Sequence, residues 1–141
     1  MLAYVTVGAN DMDRAERFYS AFLPALGYLL ERYHGDLSYI PAGQTGAPDF
    51  YVKSPYDGGE ASAGNGAMVA FRVSTQRQVR ALHAAAVDAG GASDGAPGFR
   101  AAYGPWFYVG YLRDPCGNKV ALFCDNEDQP MRPDRAAASG Q

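Results

Sequence analysis

The side chains able to do chemistry are few and scattered. Two histidines, His34 and His83, and two cysteines, Cys116 and Cys124, are the nitrogen and sulfur metal donors. Zinc sites bring such donors in closely spaced pairs. Cys116 and Cys124 lie too far apart for that, and no histidine pair accompanies them. His34 adjoins Gly35 at a strand end, and His83 follows Leu82 in a helical run, where it is expected to face solvent. Glu31, Asp36 and Asp49 are available as acids or bases, but no spacing forces two of them together. There is no nucleophile motif, no phosphate loop and no spacing that supports a Ser-His-Asp arrangement. Gly64-Asn65-Gly66 reads as a turn rather than a dinucleotide fingerprint. The stretch richest in recognition groups is Phe99-Arg100-Ala101-Ala102-Tyr103-Gly104-Pro105-Trp106. Arg100 can pair with a carboxylate or stack on a ring. Tyr103 and Trp106 combine apolar bodies with polar tips. The same stretch reads equally as a surface loop anchored by Trp106.

These groups must be placed by secondary structure. Leu2 to Gly8 is apolar and rich in Val, Thr and Tyr, which predicts a strand. Asn10 and Asp11 offer helix-capping oxygens. The stripe Met12, Ala15, Phe18, Phe22, Leu26, widened by Tyr19 and Leu23, has helical spacing, which Pro24 should kink or end. Tyr28 to Tyr33, Leu37 to Ile40 and Asp49 to Lys53 read as strands, with a loop from Gly43 to Pro48. Ser54 to Asn65 is glycine-rich and poor in large apolar groups, as a linker is. Ala67 to Val73 is the next strand. Ser74 or Thr75 caps a helix, with Gln78 completing a capping box after Thr75 and Val79, Leu82, Ala85 and Ala86 facing inward. Gly90-Gly91 ends it, and Gly95 to Gly98 reads as a loop. Trp106 to Leu112 and Lys119 to Cys124 are strands joined by the turn Asp114-Pro115-Cys116-Gly117-Asn118. The polar stretch 126–141 is expected to be a flexible tail.

The pattern repeats. Tyr4 falls on Met68, Val5 on Val69, Val7 on Phe71, Asn10 on Ser74, Phe18 on Leu82 and Gly27 on Gly91. Strand, cap, helix stripe and terminal glycine recur in phase, which predicts two βαβββ modules.

Composition narrows the class. At 48% hydrophobic and 19% charged residues, the chain of 141 is too apolar for disorder. It is long enough to fold without a metal or disulfide. A net charge of −3 with no basic cluster argues against nucleic acid. No apolar run approaches the roughly 20 residues of a membrane span. No signal segment is evident and the cysteines form no framework, so a cytoplasmic location is expected.

Three stretches resemble the vicinal-oxygen-chelate superfamily, which includes glyoxalase I, bleomycin-resistance proteins and extradiol dioxygenases. They are Tyr4-Val5-Thr6-Val7-Gly8-Ala9-Asn10-Asp11 with Ala15-Glu16-Arg17-Phe18-Tyr19, then Gly64 to Phe71 with Leu82-His83-Ala84-Ala85-Ala86, and finally Arg113-Asp114-Pro115-Cys116-Gly117-Asn118-Lys119-Val120. The Asp-Pro-x-Gly-Asn turn of the last is the most specific. The resemblance covers residues 2–125. It implies an α+β fold, with two βαβββ modules forming a cupped mixed sheet around a cleft for substrate and often a divalent metal. One domain over 1–125 is expected, with modules at 1–57 and 66–125 and a linker at 58–65. A homodimer is also implied.

Metal-binding members place His, Gln or Glu on the first and last strand of each module, donors suited to a first-row divalent ion. Here the resemblance puts Tyr4 and Met68 at the first-strand positions, Ala121 at one last-strand position, and Phe50 or Tyr51 at the other. A thioether, a methyl group and a neutral phenol are poor ligands for such an ion. No metal and no cofactor is therefore expected. The expected ligand is a small apolar or aromatic molecule, against a site of Tyr4, Thr6, Phe50, Met68, Arg100, Tyr103, Trp106, Tyr108 and Ala121. Tyr4, Met68 and Trp106 read equally as core filling. The alternatives are a metal-dependent lyase or dioxygenase with atypical ligands, such as Tyr4 or Tyr51, and a metal-free lyase or isomerase using Tyr or Arg.

Overall fold

A computed structural model describes residues 1–43 and 48–133. Chain order is β1 (Val5–Gly8), α1 (Met12–Tyr19), a 3-10 turn (Pro24–Leu26), β2 (Tyr28–Tyr33), β3 (Asp36–Pro41), β4 (Phe50–Lys53), β5 (Val69–Arg72), α2 (Gln76–Asp88), β6 (Ala92–Phe99), β7 (Tyr108–Arg113) and β8 (Lys119–Cys124). The strands form two four-stranded mixed sheets, ordered β1-β4-β3-β2 and β5-β8-β7-β6. Each first strand pairs in parallel with the last strand of its own half, and the other pairs are antiparallel. The fold is α+β, built from two βαβββ units.

The helices start where side-chain oxygens meet unsatisfied backbone donors. Asp11 accepts from Arg14 N at 3.0 Å, and Thr75 Oγ1 accepts from Gln78 N at 3.0 Å. The first helix is shorter than its stripe. Pro24 cannot continue it, so Phe22 and Leu23 reach the core from a turn after Tyr19.

Each sheet buries one face against its helix. Phe18, Phe22, Tyr39 and Val52 in the first half and Val73, Val79, Leu112 and Leu122 in the second form one continuous core. Phe71 joins the halves, its ring 5.9 Å from that of Phe22, 6.0 Å from Tyr28 and 5.2 Å from Phe50. Among the described residues no backbone–backbone hydrogen bond crosses between the halves. Side chains make the crossing: Asn118 Nδ2 donates to Gly8 O at 2.9 Å and Tyr19 Oη donates to Asp114 Oδ2 at 2.6 Å.

Four local expectations are corrected. Gly95 to Gly98 is part of strand β6, not a loop, and pairs with β7 through two register shifts. Trp106 lies outside β7, which begins at Tyr108. His83 is buried rather than solvent-facing, with Nε2 at 2.9 Å from Tyr111 O. The first part of the polar tail is bonded to the body: Gln76 N donates to Gln129 Oε1 at 2.9 Å and Arg132 N donates to Pro105 O at 2.8 Å. Residues 134–141, and 44–47 of the expected 43–48 loop, lie outside the described residues.

Candidate functional site

Strand alternation assigns the faces. Phe50 is paired with Val5 and Tyr39, and all three face the helix side. Tyr51 is paired with Thr6 and Ser38, so these three share the opposite, open face. The same register places Ala70 beside Ala121 and Tyr111 on the open face of the second sheet. Thr6 matches Ala70 in the repeat, so Tyr51 is the counterpart of Ala121. The choice between Phe50 and Tyr51 falls to Tyr51. Phe50 is core, only 1% exposed.

The largest described cleft, about 680 Å³, lies on the open face of the first sheet. Tyr4, Thr6, Asp36, Lys53, Tyr56 and Glu60 are among its lining residues, and the segment after β4 forms one wall. The Tyr4 ring meets that of Tyr51 edge-on at 5.4 Å, and Lys53 Nζ sits 5.5 Å from the centre of the Tyr51 ring. Tyr4 and Tyr56 are exposed. Asp36, Asp57 and Glu60 outnumber Lys53 along the lining, so the cleft is more acidic than an apolar pocket.

The expected site residues divide. Tyr4 and Thr6 line this cleft. Met68 is half-exposed at a small gap between the halves, beside Val7 and Lys119. Ala121 is on the open face but buried. Tyr108 faces the helix, where its hydroxyl accepts from Arg80 Nη1 at 3.1 Å and its ring packs on Phe99 at 5.0 Å. It is a core residue and leaves the site. Arg100 folds over the Tyr111 ring on the second sheet, 5.4 Å from its centre. Tyr103 is exposed and stacks on Phe107. Trp106 anchors the C-terminal segment, donating from Nε1 to Gln129 O at 2.8 Å. The cleft therefore gathers Tyr4 and Thr6 without Arg100, Tyr103 or Trp106. Sequence reasoning left Tyr51 as an alternative to Phe50 and missed Lys53 and Tyr56. The strand reading of Asp49 to Lys53 held the signal for two of them, since Tyr51 and Lys53 are alternate residues and share a face.

No family model matches the chain, and no curated protein matches it. Solved structures do. A glyoxalase/bleomycin resistance protein from Albidiferax ferrireducens T118 is 33% identical, with a TM-score of 0.74 over 86% of this chain and 96% of that one. The chain belongs to the glyoxalase/bleomycin resistance protein family. A glyoxalase-related enzyme from Fulvimarina pelagi, 21% identical, shares the fold with a TM-score of 0.67 over 88% of this chain and 87% of that one. So does a glyoxalase/bleomycin resistance protein/dioxygenase family enzyme from Burkholderia phytofirmans PsJN, 20% identical, with a TM-score of 0.65 over 87% and 97% of the two chains.

The glyoxalase-type metal can be tested against the donors at the four corresponding positions. They are Tyr4, Tyr51, Met68 and Ala121, which offer two phenols, a thioether and a methyl group. Ala121 has no donor atom, and a phenol keeps its proton near neutral pH unless its pKa is lowered. Among the described residues no group of three His, Cys, Asp or Glu side chains stands close enough to hold an ion. The residues at the family positions do not fit the metal.

The family's Asp-Pro-x-Gly-Asn turn has a structural task here. Asp114 is buried and accepts from Tyr19 Oη, Asn118 Nδ2 and the backbone N–H groups of Cys116 and Asn118, at 2.6 to 2.9 Å. Burial first, then the Asp114 charge, holds the Tyr19 phenol well above its ordinary pKa. The Cys116 thiol is pushed up by burial and by the same carboxylate. At the meeting of the two sheets a second carboxyl, Asp49, has its pKa raised by burial, partly offset by the Tyr28 hydroxyl that donates to Oδ2 at 3.4 Å. Burial, with the nearby Asp49 charge, pushes Tyr28 itself up to about 12.

Proposed function

We propose that the protein binds a small molecule carrying an aromatic ring, on the open face of the first sheet, without the divalent metal that the family resemblance implies. The cleft of about 680 Å³ with Tyr4, Thr6, Lys53 and Tyr56 in its lining carries this reading. Its size suits a small ligand, since such pockets run from about 300 to 1,000 Å³. The Tyr rings supply apolar area at low entropic cost, and Lys53, Asp36 and Glu60 supply orientation. The absence of suitable donors at Tyr4, Tyr51, Met68 and Ala121 supports the metal-free half of the reading.

Thermal unfolding against a panel of ring compounds tests it. Ligands that bind the native state should raise Tm with concentration. The Tyr4→Ala variant should lose most of that shift while keeping its own unligated Tm close to the parent value. Metal analysis of the same sample should show no stoichiometric Ni, Zn, Fe or Mn. A stoichiometric ion, or a panel without a single Tm shift, overturns the corresponding half of the proposal.

A further inference from the structure

The open face of the second sheet carries a cationic cluster that the cleft does not use. Tyr111 lies at its centre. Arg100 Cζ is 5.4 Å and Lys119 Nζ is 4.7 Å from the centre of its ring. Arg113 shares this face, in register with Lys119 on the neighbouring strand. One carboxylate, Asp94, answers two of these cations, at 3.0 Å from Arg113 Nε and 3.3 Å from Lys119 Nζ. The cluster therefore holds three cations and one acid, on a chain whose net charge is −3. Hydrogen bonds and charge from Lys119, and then from Arg113, lower the Asp94 pKa.

The cluster is built rather than draped. Arg100 donates from Nη2 to Ala96 O at 2.8 Å and from Nη1 to Phe99 O at 3.2 Å. Its own backbone is held by Arg132 Nη1, which donates to Arg100 O at 3.1 Å. Gly95 leaves the space that the arrangement needs: a Cβ there would sit 2.8 Å from Tyr111 Cδ2 and 3.3 Å from Arg100 Nη2. A guanidinium fixed in this way loses less freedom when it binds an anion than one on a free side chain. The Lys119 side chain is only 29% and that of Arg113 41% exposed, so their charges are partly sheltered from water.

We propose that Arg100, Arg113 and Lys119, gathered round Tyr111, form a subsite for a small anionic group, carboxylate or phosphate, on the open face of the second sheet, apart from the lining of the cleft. It goes beyond the reading of the first-sheet cleft and stands or falls apart from it. Lys119 and the outer N–H groups of Arg113 and Arg100 supply charge-assisted donors, with Asp94 holding two of them in place.

Backbone amide spectra of isotope-labelled full-length protein, titrated separately with acetate, inorganic phosphate, chloride and benzyl alcohol, test it. Acetate or phosphate should give saturable shifts at Gly95, Gly98 and Tyr111 that equal chloride does not give; the tighter of the two identifies the anion type. The double variant Arg100→Met/Lys119→Met should weaken that binding by about tenfold or more, as loss of two charged hydrogen-bond donors does. The exposed Arg77→Met control should leave it unchanged. If the double variant does not give a folded spectrum, the single Lys119→Gln variant takes its place. Absence of saturable shifts, shifts equalled by chloride, or full affinity in a folded variant overturns the subsite. Benzyl alcohol separates the two ideas: shifts at Tyr4 and Tyr51 without any anion effect leave the cleft standing and remove the subsite, and the reverse result does the opposite.

Discussion

Tyr19 and Asp114 show how much one contact can decide. Their hydrogen bond is buried and links the first helix to the last turn. Tyr19→Phe removes the donor and leaves a buried carboxylate one partner short, so it should cost about 2 kcal/mol in urea unfolding. Asp49 should reveal itself through pH. Its pKa is raised in the folded state, so the native protein holds that proton more tightly than the unfolded chain. Its favourable contribution is complete below the ordinary carboxylate value of about 4 and is lost as pH rises through its folded value. Asp49→Asn should therefore gain stability relative to the parent as pH rises through that window, measured by urea midpoints at several pH values. A difference that stays flat with pH would remove Asp49 from the account. At this scale the sequence was half legible. The Asp-Pro-x-Gly-Asn turn was visible as a turn, but Tyr19 looked like one more apolar residue in a helical stripe. Its partner lies in the other half of the chain, and no local pattern announces such a pair.

Among the elements, helices and most strands were readable because their signals are local: Asp11 and Thr75 cap, Pro24 stops, and the apolar stripes keep their period. Strand β6 was not, because Gly95, Pro97 and Gly98 carry the chemistry of a loop. The strand survives through its pairing with β7, which tolerates two irregularities. Tyr51 rather than Phe50 faces the site for the same kind of reason, since only the register with β1 and β3 reveals which alternate residues are buried. Gly95 tests the value of the irregularity. Gly95→Val places a branched side chain where φ is +151° and a Cβ would be 2.8 Å from Tyr111. Strain and overpacking of that kind should cost about 1–3 kcal/mol. The near-ultraviolet signal of the tyrosines should change with it. An unchanged urea midpoint would mean that β6 yields more easily than its packing suggests.

For the whole molecule, the repeat in the sequence was enough to reach the architecture, because each half must bury the same kind of stripe against the same kind of sheet. It was not enough to reach the cleft. The lining of the cleft comes from the open side of one sheet and from the segment after β4, where Tyr56, Asp57 and Glu60 follow no period. That segment is held in place by Asn10, whose side chain exchanges hydrogen bonds with the backbone of Ala61. The acidity of the cleft is likewise a property of two separate stretches, Asp36 at the start of β3 and Asp57 with Glu60 after β4, and becomes visible only when they meet.

The halves meet through Phe71, Asn118 and Tyr19 but, among the described residues, share no backbone ladder. The covalent link between them therefore works as a supplier of effective concentration rather than as part of either sheet. A cut between Gly64 and Asn65 should leave two fragments that reassemble when mixed. Their association would be bimolecular, so the melting temperature of the cut protein should climb more steeply with protein concentration than that of the intact chain.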